Sequence, residues 1–222
     1  MNRPCRAPGC TGTTSSRFSP YCTTHRGRLR RQGSVEQRSV TKRELASYVR
    51  LVEKRIAKNA ENPAWGRLDE SWGRLLRHAK GITVEEASGR PGPRHVRVAA
   101  NELIRLGDLV AAREVAVCAL AMFVMLELDA RRFPTDPGFR AQLVRRILRL
   151  TDVNSTMYFD RITGNAKRVY RDLPPRAVGV IGAWLAETFG VAGVHLGRLE
   201  LRDIEAGKNG KQELYAALDE LA

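Results

Sequence analysis

The sequence predicts a mainly α-helical chain that begins with a small polar module and carries one short β-hairpin among its helices. Three observations lead there. From residue 41 onward, apolar residues recur at helical spacing in several separate stretches. Residues 1–33 lack that periodicity and hold three of the four cysteines. Near residues 157–171, aromatic and β-branched residues flank a Gly-Asn turn, which is a hairpin signal; an irregular loop is the alternative. With 222 residues, 43% of them hydrophobic, the chain can bury a sizeable core, so wholesale disorder is excluded.

Residues 1–33 are rich in Gly, Pro, Ser and Thr and poor in Leu, Ile and Val. Such a stretch cannot bury enough apolar surface to order itself and needs a staple. Cys5, Cys10, Cys22 and His25 run C-x4-C-x11-C-x2-H. Two close pairs of soft or borderline ligands suit tetrahedral zinc, and a closed set of four leaves no open position, so the metal's role is structural. Zinc would supply the folding energy that the polar module lacks. The competing reading is three free cysteines and an unrelated histidine. Residues 34–40 read as a linker, and residues 41–222 as a helical domain with a subdomain boundary near 81–94.

Within that domain, Thr41-Lys42-Arg43-Glu44 is a capping box ahead of Leu45, Tyr48, Val49, Val52 and Ile56. Asn62-Pro63 opens a second helix with Trp65, Leu68, Trp72, Leu75 and Leu76 inward, and Gly81 is expected to end it. Gly89, Pro91, Gly92 and Pro93 mark a loop. Residues 95–130 read as two helices broken at Gly107-Asp108, the second apolar nearly all round and so central to the core. Asp136-Pro137 caps a helix with Phe139, Leu143, Ile147 and Leu148 inward. Pro174-Pro175 opens another, expected to stop at Gly190. Two short helices are expected after it, the last with a Leu214, Ala217, Leu218 and Leu221 stripe. The longest uncharged apolar run, Val115 to Leu126, is shorter than the roughly twenty residues a membrane span needs. The N-terminus has no apolar signal region. Both point to a cytoplasmic chain without disulfides or membrane partner.

The Cys5 to Cys10 pair, Tyr21-Cys22-Thr23-Thr24-His25 and the following Arg28-Leu29-Arg30-Arg31-Gln32-Gly33 resemble the short N-terminal zinc module of phage and mobile-element DNA-binding proteins. That module often accompanies HNH endonucleases. The resemblance covers residues 1–33 only. It implies a bacterial mobile-element or phage setting and a nucleic-acid context. It does not extend to HNH catalysis: outside the module the only histidines are His78, His95 and His195, with no second histidine at ligand spacing. Nor is there a phosphate-binding Gly-x4-Gly-Lys loop or a Gly-x-Ser-x-Gly elbow. Asp152 and Asp160 could pair on magnesium, but capping and turn formation explain them more simply. Cys118 lies in an apolar run and reads as core. No catalytic residue is assigned, and the reading leans away from an enzyme.

Charge supplies the remaining argument. The net charge is +14, and residues 1–58 hold fourteen basic residues against three acidic ones. A second block, 131–176, holds eleven against four. Clustered positive charge most often marks a polyanion partner, and the usual one is nucleic acid, here double-stranded DNA. A solvated basic surface is the alternative. Thirty-one of the cations are Arg, which gives bidentate contacts that Lys cannot. The candidate contacts are Arg26, Arg28, Arg30 and Arg31 after the last metal ligand, then Arg145, Arg146, Arg149, Lys167 and Arg168. The leading function is DNA binding with structural zinc, with or without self-association into a homo-oligomer. A protein–protein adaptor and an unrecognised metal-dependent nuclease are the alternatives.

Overall fold

The computed structural model describes residues 3–153, 155–162 and 164–219. The turn residue Thr163 lies outside them, as do the side chain of Lys167 and those of the expected Leu214 to Leu221 stripe. The chain is mainly α with one short hairpin, as its periodicity predicts. In order come α1 (Thr23–Gln32), α2 (Lys42–Lys58), α3 (Ala64–Ala87), α4 (Arg94–Leu109), α5 (Ala112–Leu128), α6 (Asp136–Leu148), strands β1 (Ser155–Asp160) and β2 (Asn165–Tyr170), and α7 (Pro175–Asp219).

The central helix is α5. Ten of its residues are buried, including Leu120, Met122, Phe123 and Met125, and helices α2, α3, α6 and α7 pack around it. Cys118 is among the buried residues, and burial pushes its thiol up to about 11 despite nearby Arg146. It is a packing residue, as its apolar neighbours predict. The capping box that starts α2 is present. Thr41 Oγ1 accepts from the Glu44 N–H at 3.1 Å, and Glu44 Oε2 accepts from the Thr41 N–H at 3.2 Å.

Three helix ends differ from expectation, each for a packing reason. Helix α3 runs through Gly81 to Ala87, because Ile82 beyond the glycine still packs on the core. A mid-helix glycine costs only about 1 kcal/mol, which such packing overrides. The break between α4 and α5 falls at Val110-Ala111 instead of Gly107-Asp108. Gly107 is helical and small because a Cβ there would stand 2.6 Å from Leu76 Cδ1. Helix α7 continues past Gly190 as one helix to Asp219, replacing the expected stop and two short helices. Two of its glycines approach α5 closely: a Cβ at Gly193 would meet Phe123 Cβ at 2.5 Å, and one at Gly197 would meet Glu127 Cβ at 2.7 Å. They mark a close helix–helix seam, not a terminus.

By length and composition, α7 over Pro175–Gly207 is apolar enough to cross a membrane. Glu187 interrupts this apolar stretch, so it holds no uncharged run longer than Val115 to Leu126. In this fold Ala177, Ile181, Leu185, Phe189 and Leu196 on that helix are buried.

The segment 34–40, expected as a linker, lies across α6. Ser34, Gln37 and Val40 are buried. The Val40 N–H donates to Gln142 Oε1 at 3.0 Å, and Gln142 Nε2 donates to Gln32 Oε1 at 2.7 Å. Arg132 closes the other side, donating to the Arg38 and Ser39 carbonyls at 3.1 and 2.9 Å and to Glu44 Oε1 at 2.6 Å. The Arg132 guanidinium holds the Glu44 carboxyl below the usual carboxylate range, against partial burial. The folded value being the lower one, this pair stabilises the fold above the ordinary glutamate pKa of about 4.3. The stabilisation is lost as pH falls through the folded value. Denaturant unfolding of Glu44→Gln should show a flatter acid limb and a loss of under about 1 kcal/mol at neutral pH. An unchanged acid limb would remove Glu44 from the account.

Candidate metal centre and basic face

Short-range backbone features place each of the four predicted metal ligands. Around Pro4 and Thr13 the chain pairs antiparallel, the Cys5 N–H donating to the Gly12 carbonyl at 2.9 Å and the Thr14 N–H to that of Arg3 at 2.8 Å. Between them Ala7-Pro8-Gly9-Cys10 forms a β-turn, closed by the Cys10 N–H on the Ala7 carbonyl at 3.1 Å. Proline presets the first central residue. Gly9 takes φ of 67°, which side chains disfavour and this type of turn requires. The turn brings Cys5 and Cys10 to one side. Cys22 is the N-cap of α1, so His25 sits in the first helical turn above it.

The four ligand atoms lie within 4.8 Å of one another. Cys22 Sγ is 3.2 Å from His25 Nδ1, Cys5 Sγ is 3.6 Å from the same nitrogen, and Cys10 Sγ is 4.0 Å from Cys22 Sγ. A tetrahedral ion with bonds of about 2.3 Å to sulfur and 2.0 Å to nitrogen spaces its ligands about 3.5–3.8 Å apart. Backbone N–H groups also aim at sulfur, Gly12 at Cys10 (3.4 Å) and Cys22 at Cys5 (3.3 Å). For Cys5, burial opposes ionisation, but the N–H groups of Cys22 and Ala7, with Cys10 and His25, bring the thiol down to about 6. For Cys10, the Gly12 N–H favours the thiolate, yet burial and the neighbouring Cys5 and Cys22 thiols hold it above the ordinary value. Thiols this crowded oppose one another's ionisation until a cation sits among them. The residues therefore fit a metal ion such as zinc within a Cys3His set.

Past the last ligand, α1 ends at Gly33, whose φ of 77° and N–H to the Leu29 carbonyl form a left-handed cap. This cap sits on α6, where the Gln32–Gln142 amide pair also lies. The contact brings the two basic blocks together. Arg30 and Arg31 of α1, Arg145 of α6, Arg149 at its C-cap, and Arg171 after β2 line one cleft. Arg26, Arg30 and Arg31 line a second, adjoining cleft with Arg140.

The other predicted contacts fall elsewhere. Arg28 is half-buried and donates to the Val35 carbonyl at 3.2 Å. Arg146 is buried, with its Nε unpartnered. Arg168 pairs with Asp152, whose other oxygen accepts from the Tyr170 hydroxyl at 2.9 Å. Asp160 accepts from the Ile162 N–H at 3.0 Å, a turn contact, so Asp152 and Asp160 serve the hairpin as the simpler reading has it. His78 packs edge-on against Trp184 with ring centroids 5.2 Å apart. Among the described residues the only group of three or more metal-ligand side chains close enough to hold an ion is the Cys3His set, which excludes His78, His95 and His195.

Arg140 and Arg171 are the additions that sequence reasoning did not name as contacts. Arg26 with Arg30, and Arg145 with Arg149, are four apart and so share a helix face. That signal is readable, whereas which faces meet is not. No family model, curated protein or solved structure matches this chain.

Proposed function

We propose that this chain is a zinc-containing DNA-binding protein whose arginine face engages the phosphate backbone of duplex DNA. The observation that carries the reading is the convergence of α1 and α6 arginines, distant in sequence, around shared clefts. Among the described residues that line those two clefts, Asp172 is the one acid. The metal aims this face, because His25 and Arg26 are adjacent on α1 and Cys22 starts that helix. Zinc is the metal that the three thiolates and one imidazole suit best. The resemblance of residues 1–33 to phage and mobile-element zinc modules supports a bacterial mobile-element setting.

The test is a salt titration of duplex binding. With about five phosphates neutralised, the log–log slope should be about −4.5. Replacing Arg26, Arg30 and Arg31 with alanine should flatten it by about 2.7, one phosphate contact each. Arg28→Ala should change it by less than about one, since its guanidinium is spent on Val35. A wild-type slope near zero would sink the reading in favour of a protein–protein adaptor. The strongly exposed Met157, Phe159 and Ile162 of the hairpin favour that alternative.

A further inference from the structure

A small open cleft of about 50 Å³ lies where α1, α6, the end of β2 and the start of α7 meet. Its floor is apolar, built from Val144, Leu148 and Val178. Five guanidinium groups surround it, those of Arg30, Arg31, Arg145, Arg149 and Arg171. Among the described lining residues the one acid is Asp172, whose carboxylate stays 3.9 Å from Arg145, beyond hydrogen-bond reach. The chain therefore leaves most of this positive charge uncompensated.

Two further observations concern the same groups. Arg145 Nε is buried with no hydrogen-bond partner, a condition folded proteins rarely leave unanswered. Arg149 stacks over the Tyr170 ring, 4.6 Å from its centroid, which fixes the plane of its donors. Burial, with the cations of Arg145 and Arg146 alongside, depresses the Arg149 guanidinium. Burial likewise depresses Arg145 in spite of Asp172, with Arg31 and Arg146 adding to the effect. A bound anion would offset the burial and mutual crowding of the Arg145 and Arg149 charges.

We propose that this cleft is a phosphomonoester pocket, seating the dianionic terminal phosphate of a nucleotide, either free or at the end of a nucleic-acid strand. The proposal rests on the reading of the arginine face as nucleic-acid-binding and names what its concave centre takes. A dianion answers the charge excess better than the single charge of a backbone diester. Guanidinium forks grip phosphoryl oxygens in pairs. A diester inside a duplex is flanked on both sides and cannot lead into a concavity, whereas a terminal phosphate can. A space of about 50 Å³ takes the phosphoryl group, and the apolar lining residues offer a surface to the attached nucleoside. The first turn of α7 also borders the cleft through Val178, and a helix N-terminus favours an anion.

The test uses the full metal-loaded chain. Single-stranded oligonucleotides of one sequence, ending in a 5′-phosphate, a 3′-phosphate or hydroxyls only, are compared by fluorescence anisotropy. In parallel, AMP, adenosine and inorganic phosphate are compared by thermal shift. One phosphorylated end should bind about tenfold tighter than the hydroxyl form. Arg149→Gln should erase that difference. If that variant does not fold, the wild-type comparison of ends decides alone. Discrimination between ends without an AMP shift assigns the pocket to strand termini. Stabilisation by AMP over adenosine, with all oligonucleotides bound equally or not at all, assigns it to a free nucleotide. If no oligonucleotide binds and neither AMP nor phosphate stabilises the chain, the pocket is overturned, while the duplex reading is decided by its own salt titration. Equal, tight binding of all ends with no effect of AMP or phosphate overturns the pocket and leaves the DNA reading intact.

Discussion

Replacing Cys22 with serine should remove the metal and unfold residues 3–22 while α2 to α7 stay folded. A serine hydroxyl does not ionise near neutral pH, so the site drops to three ligands and opens to water. Serine is among the preferred N-cap residues, so the start of α1 is, if anything, improved. Loss of order can then be assigned to the metal and not to the helix. Among the described residues before α1, the only buried apolar side chains are those of Cys5 and Ala7. Structural zinc in small modules supplies on the order of 10–16 kcal/mol of apparent binding energy near pH 7. Metal analysis should find about one zinc per wild-type chain and almost none in the variant. Trypsin should cut at Arg6 and Arg17 in the variant and spare them in the wild type. Retention of one metal per variant chain, or a collapse of the whole helical signal, would contradict this account.

The second large effect is expected at Gly33→Val. The left-handed φ of 77° there costs a non-glycine residue about 1–2 kcal/mol, and more with a β-branched side chain. The new Cβ would also stand 2.3 Å from the Pro137 carbonyl oxygen and 3.1 Å from Ala141 Cβ. Backbone cannot yield by that much, so α1 must lift from α6. Lifting it breaks the buried Gln32–Gln142 amide pair and leaves both amides to find water. The total loss should be about 3 kcal/mol in denaturant unfolding. It should be accompanied by faster amide exchange in α1 and at Val40. The cleft arginines separate at the same time, so the salt slope on DNA should weaken although every arginine is still present. A variant within about 0.5 kcal/mol of wild type would show that the α1–α6 contact does not hold in solution.

The Cys3His cluster was legible from spacing alone, because a short loop and a helix start are local structures. Pro8-Gly9 makes the turn that pairs Cys5 with Cys10, and the x2 gap from Cys22 puts His25 one helical turn on. The helix stripes, the Thr41 cap and the hairpin were legible for the same reason, since each depends on neighbours a few residues away. Helix ends were not. Gly107 and Gly190 look like terminators in a sequence, and only the tertiary structure shows Gly107 close against Leu76 and α7 running on past Gly190, with Gly193 close against Phe123. The polar 34–40 segment looks solvated until Gln142 and Arg132 are seen to satisfy it. Local composition placed arginines in two blocks, 1–58 and 131–176, whose cleft arginines lie more than a hundred residues apart in sequence. Only the docking of the Gly33 cap on α6 made them one face, because long-range contact depends on which buried surfaces fit together, and no periodicity records that.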